Sequence, residues 1–112
     1  MEPQQYQNIF QYLSSQIIPI ELVTPRQKQK FINFCSTFQI NNHFLYKIHS
    51  STNQFLRVIQ RKEMEAVLYM MHSDPTGGHL ATEAMFSKIR TRFFWPKLYE
   101  DIRAYVKSCD NC

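Results

Sequence analysis

The chain has little of several things, and each shortage excludes something. Only two of its 112 residues are glycine, adjacent at Gly77 and Gly78, and no internal repeat or low-complexity stretch occurs. No apolar run approaches the roughly 18 to 20 residues needed to span a bilayer. The first residues, Met1 to Asn8, are polar and carry no basic region ahead of an apolar stretch. Neither a membrane protein nor a secreted one is expected, and the chain is expected to be intracellular. Cysteine is scarce and odd in number: three residues cannot all pair, so the thiols should be reduced and free to bind metal.

What is present argues for a folded chain. Hydrophobic residues make up 44% and aromatics 14%, far above a disordered composition. The length allows one compact domain, or a small metal-stabilised unit with an ordered extension in front of it. A formal charge of +4 and a pI near 9.1 suit a phosphate-bearing partner without demanding one.

The pattern divides near residue 60, which predicts an N-terminal extension over 1–60 and a second unit over 61–112. Residues 1–8 carry no readable signal. Ile9, Tyr12 and Leu13 suggest a short helix that stops before Pro19. Thr24-Pro25 reads as an N-cap with proline at the first helical position, and Phe31, Phe34, Cys35 and Phe38 recur at helical spacing behind it. A helix over about 25–37 follows. Two runs, His43 to His49 and Gln54 to Gln60, flank Ser50-Ser51-Thr52-Asn53 and predict a β-hairpin. From Arg61, the spacing of Met64, Val67, Leu68 and Met71 predicts an amphipathic helix that delivers His72. Asp74-Pro75-Thr76-Gly77-Gly78 is a dense turn signal. A helix over about 81–92 should bury Met85, Phe86, Ile89 and Phe93. Pro96 should open a last helix carrying Leu98, Ile102, Tyr105 and Val106 inward. The expected fold class is mostly α with a small β-hairpin, an α+β arrangement.

His72, His79, Cys109 and Cys112 form two short-spaced pairs of zinc-type ligands. A CxxC turn presents both sulfurs to one ion, two thiolates cancel the charge of Zn²⁺, and two neutral imidazoles complete a tetrahedron. Six residues separate the histidines, too many for one helical face, so the Pro-Gly-Gly segment must loop back. Four protein ligands leave no place for a catalytic water, and no HExxH motif supplies a base, so a single structural zinc is expected. A redox role for the CxxC is disfavoured because the motif follows a helix instead of opening one. His43 and His49 are expected to be exposed or hydrogen-bonded, and Cys35 to be a small buried hydrophobe.

The segments His72-Ser-Asp-Pro-Thr-Gly-Gly-His79-Leu80, Ile89-Arg-Thr-Arg-Phe-Phe-Trp95-Pro96 and Tyr105-Val-Lys-Ser-Cys109-Asp-Asn-Cys112 resemble the HHCC zinc domain of integrases from gypsy-class LTR retrotransposons, which is related to that of retroviral and spumaviral integrases. The resemblance extends upstream through the Phe38 to Tyr46 region and Tyr12-Leu13, and implies that the front part is the extension that precedes the zinc domain in some of these integrases. The chain departs from the family pattern at Ala81, Ala84 and Met85, where the family commonly has Gly and a Lys-Thr pair; the missing lysine removes a cation from the start of that helix. The sequence stops at Cys112, ahead of the RNase H-like core that holds the catalytic carboxylates, so a non-enzymatic module is expected.

In the family the zinc domain helps the integrase assemble on its DNA ends. That resemblance implies DNA as a partner, with self-association or contact with the catalytic core, and a nuclear location. Candidate phosphate-binding residues are Lys88, Arg90, Arg92, Lys97, Arg103 and Lys107, with Arg90 and Arg92 foremost. Such contacts give weak, salt-dependent and largely non-specific affinity. The rival expectation makes Phe93, Trp95 and Ile89 core, leaves the cations solvated beside Glu83, Glu100 and Asp101, and makes the module a zinc-stabilised protein-interaction domain.

Overall fold

In the computed structural model, residues 1–72 and 81–108 are described. They form α1 (Pro3–Ser15), α2 (Pro25–Cys35), β1 (Phe38–Asn41), β2 (Phe44–Ile48), β3 (Phe55–Val58), α3 (Arg61–His72), α4 (Thr82–Ile89), β4 (Phe93–Phe94) and α5 (Leu98–Ser108). The class is mixed α+β and mostly helical, as expected. The expected turn over Asp74 to Gly78 lies outside the described residues.

The front of the chain holds more structure than its sequence suggests. α1 begins at Pro3, not near residue 9, because proline at the first helical position needs no amide partner. Met1 is buried, and its amino group donates a 2.7 Å hydrogen bond to the Ile59 carbonyl. Burial pulls that ammonium below its ordinary pKa. α2 starts as expected: Thr24 accepts from the Gln27 amide, and the Gln27 side chain accepts from the Thr24 amide, each at 3.1 Å. The helix ends at Cys35, and Phe38, which shares its apolar stripe, instead begins β1 while still packing beside Cys35.

The expected hairpin is present as β2–β3, with Tyr46 opposite Arg57 and Ile48 opposite Phe55. Two further strands flank it, giving the order β1-β2-β3-β4. β1 reaches β2 through Asn42 and His43, whose φ values of 50° and 67° are those of a two-residue turn matched to strand twist. β4 pairs parallel to β3, where the Arg57 amide donates to the Arg92 carbonyl and the Ile59 amide to the Phe94 carbonyl. The predicted helix over 81–92 therefore stops at Ile89, so that Phe93 and Phe94 can extend into the sheet. Pro96 is likewise not in a first helical turn. Lys97 has φ 62°, outside the right-handed helix, and α5 starts at Leu98.

Two apolar clusters meet along β3 and β4. Cys35, Phe38, Leu45 and Val58 pack with Ile9 and Met1 under α1 and α2, and Phe94 joins them. Ile59, Phe93 and Trp95 pack with Leu68, Met71, Met85, Ile89 and Ile102 between α3, α4 and α5. Alternation along Val58-Ile59 and Phe93-Phe94 sends neighbours to opposite sides, so one short ladder serves both clusters.

Candidate metal centre

α3 places Val67, Leu68 and Met71 against the second cluster, and the same helical face ends on His72. That histidine is 2% exposed. Its Nδ1 lies 3.1 Å from the Met85 Sδ of α4, and its ring meets the Tyr105 ring of α5 edge-on, with centroids 5.5 Å apart. A buried imidazole is thus fixed by one side chain from each of the two helices that follow it.

His79, Cys109 and Cys112 lie outside the described residues. The described chain nevertheless shows where their segments start. One leaves His72 and returns at Ala81, whose carbonyl accepts from the Met85 amide at 2.9 Å, one turn before the side chain that touches His72. The other leaves Ser108, whose hydroxyl donates to the Tyr105 carbonyl at 3.0 Å, again less than a turn from the ring that touches His72. A helical turn rises about 5.4 Å, so both ligand-bearing segments depart from around the buried imidazole. Of the four expected ligands, His72 alone lies among the described residues.

Other ligand-type side chains are used differently. Cys35 is fully buried, and burial pushes its thiol up to about 11. His43 is exposed in the β1–β2 turn, and His49 Nδ1 lies 3.1 Å from the Ser51 hydroxyl. Among the described residues, no three His, Cys, Asp or Glu side chains gather as a metal site.

The six candidate cations, Lys88, Arg90, Arg92, Lys97, Arg103 and Lys107, are all exposed. The Arg90 guanidinium lies 5.5 Å over the Phe86 ring and that of Arg92 5.2 Å over Phe93, with an Arg92 nitrogen 3.9 Å from the Met71 sulfur. Two of the expected acidic partners, Asp101 and Glu83, are engaged otherwise. Asp101 accepts from the Trp95 indole at 2.9 Å. Glu83 accepts from the Tyr99 hydroxyl, a bond that raises the Tyr99 pKa and ties α5 to α4. Among the described residues the ion pairs are Arg57–Glu63 and Arg61–Glu2, which involve none of the six. Phe93, Trp95 and Ile89 are core, as the rival expectation had it.

Residues 59–112 match the integrase zinc binding domain. The retrovirus-related Pol polyprotein from transposon 412 of Drosophila melanogaster is 31% identical over 58 residues, which cover 51% of this chain and 5% of that polyprotein. The integrase zinc binding domain is a zinc-binding, non-catalytic region of integrases. Its segment here comprises the second cluster, His72 and the departure points of the other three expected ligands. Met85 and Tyr105 were legible in the sequence as inward-facing residues, but no pattern indicated that they would hold His72.

Proposed function

We propose that residues 61–112 hold one structural Zn²⁺ through His72, His79, Cys109 and Cys112, and that the module supports DNA integration without itself performing catalysis. Residues 1–60 form the extension that carries it. The reading is supported chiefly by His72, buried at the end of α3 in contact with Met85 and Tyr105, next to the points where the other ligand segments leave the described chain. When bound, zinc supplies a tetrahedral cross-link between the end of α3 and the end of α5. The protein supplies neutral imidazole, thiolate and a packed shell that keeps His72 in one orientation.

On this reading the exposed Lys88, Arg90, Arg92, Lys97, Arg103 and Lys107 contact DNA phosphates, and the module self-associates or docks on an integrase catalytic core in the nucleus. Fluorescence anisotropy with duplex DNA tests it. Affinity should fall steeply as salt rises, with log K linear in log salt, and a salt-independent affinity would contradict it. A second reading, a zinc-stabilised protein-interaction domain with no DNA role, is favoured by Tyr69 and Met70, which stand 67% and 53% exposed on α3. Tight partner binding without measurable DNA affinity would select that reading.

A further inference from the structure

The positive charge of this chain is not where the metal site is. Seven of the 13 Lys and Arg residues, and none of the nine Asp and Glu, fall within residues 22–62. That stretch therefore carries +7 and the remainder −3, which together make the +4 of the whole. Most of the stretch is α2 and the β1-β2-β3 part of the sheet, ahead of most of the matched zinc domain.

One face of the sheet is covered by α1 and α2; the other is covered by the second cluster at its β4 edge, where Phe93 pairs with Arg57, and is open across β1, β2 and the start of β3. Leu45, Leu56 and Val58 point toward α1 and α2 and are buried. Strand alternation puts Phe44 and Tyr46 of β2 and Phe55 and Arg57 of β3 on the other side. Phe44 and Phe55 are 46% and 47% exposed there. The Tyr46 and Phe55 rings stand 6.4 Å apart, and the Arg57 guanidinium lies 4.8 Å over the Phe44 ring. Glu63 at the start of α3 fixes Arg57 from the border of the face at 2.9 Å. β1 adds the exposed amides of Gln39 and Asn41, paired with Tyr46 and Phe44.

We propose that this open face of the sheet binds an unpaired DNA strand. Flat rings displayed on a shallow sheet offer π-faces to bases, and Arg57 among them supplies a cation for the phosphate backbone, whereas Lys47 and α2 lie on the covered side. A duplex hides its base faces in the stack and cannot press them against a sheet, so the surface selects single strands. The choice of DNA over RNA rests on the integration reading given above. The surface itself is separate from the six cations of the zinc domain.

The test is fluorescence anisotropy of the full chain with a labelled thymidine oligonucleotide of roughly 12 nucleotides, within the site sizes such sheet platforms cover. Phe44→Leu and Phe55→Leu keep apolar bulk but remove the ring. Each should weaken oligonucleotide binding by about fivefold or more, the low end of what losing one base stack costs, while leaving duplex affinity within about twofold. Arg90→Ala with Arg92→Ala should do the converse. Unchanged oligonucleotide affinity in both ring variants would overturn the proposal, as would failure of the unsubstituted chain to bind the oligonucleotide at low salt; loss of duplex binding alone would instead bear on the zinc-domain reading. Where a variant loses the native circular dichroism spectrum, photocrosslinking the unsubstituted chain to a bromodeoxyuridine oligonucleotide decides. Adducts on the peptides of Phe44, Tyr46 or Phe55 support the proposal, and adducts confined elsewhere overturn it.

Discussion

Ile102→Ala is the sharpest test of how the helices around His72 are held. Ile102 is fully buried on α5 within the cluster that contains Ile59, Leu68, Met85, Ile89 and Trp95. The substitution removes three carbons, about 2.4 kcal/mol of transfer free energy at about 0.8 kcal/mol per buried methylene. The cavity left behind adds to this, because the close-packed side chains of the cluster relax into it only in part. A loss of about 3 to 4 kcal/mol follows, within the usual range of about 2 to 5 for such truncations. Against a total stability of about 5 to 15 kcal/mol for a small domain, that is a large fraction. Urea unfolding read by fluorescence is well suited, since Trp95 is the single tryptophan and is itself buried in the same cluster. With a slope near 1.5 kcal/mol per molar, the midpoint should drop by about 2 M. Arg103→Ala, one residue on and exposed, should move it by no more than about 0.5 kcal/mol. If the two variants shifted the midpoint equally, the packing assigned to α5 would be wrong.

Burial raises the Cys35 thiol to about 11, so the native chain keeps it protonated at a pH where an unfolded thiol is already ionising. Between the unfolded value near 9.0 and the native one the unfolded state binds fewer protons, so this group lowers stability as pH rises. Peptide mapping after alkylation at pH 8 should find Cys35 unmodified in folded protein and modified in urea; rapid native labelling would contradict its burial. In duplex binding, Arg90→Ala and Arg92→Ala should each reduce the slope of log K against log salt by about 1, and an unchanged slope would remove those residues from the phosphate contacts. A fragment of residues 61–112 should melt well below the full chain even with zinc, because β4 loses its pairing with β3 and Ile59 leaves the cluster. Equal melting temperatures would show that the sheet contributes nothing to the zinc domain.

The parts of this molecule that sequence reveals are those governed by local period and local chemistry. The Thr24–Gln27 capping box, the stripe leading from Met64 to His72 and the run from Leu98 to Val106 each follow from spacing within a single helix. What sequence hides is set by pairing across the chain. Phe93-Phe94 reads as a continuation of a helical face, and only the unsatisfied edge of β3 explains why those two residues are extended. Met1 looks like a polar terminus, and its burial depends on a carbonyl 58 residues away. The positive φ of Lys97 has no marker at all, since lysine carries no preference for that conformation and Pro96 suggests the opposite. At the candidate centre, ligand types and spacing were readable. The Met85 and Tyr105 contacts that orient His72 were not, because they join three different helices.

The most direct test is elemental analysis of the purified full chain with far-ultraviolet circular dichroism before and after a strong chelator. The account predicts one zinc per chain, loss of helical signal on chelation and recovery when zinc is restored, with His72→Ala lowering the metal content. A chain that folds identically without metal, or whose zinc content is indifferent to His72, would contradict it.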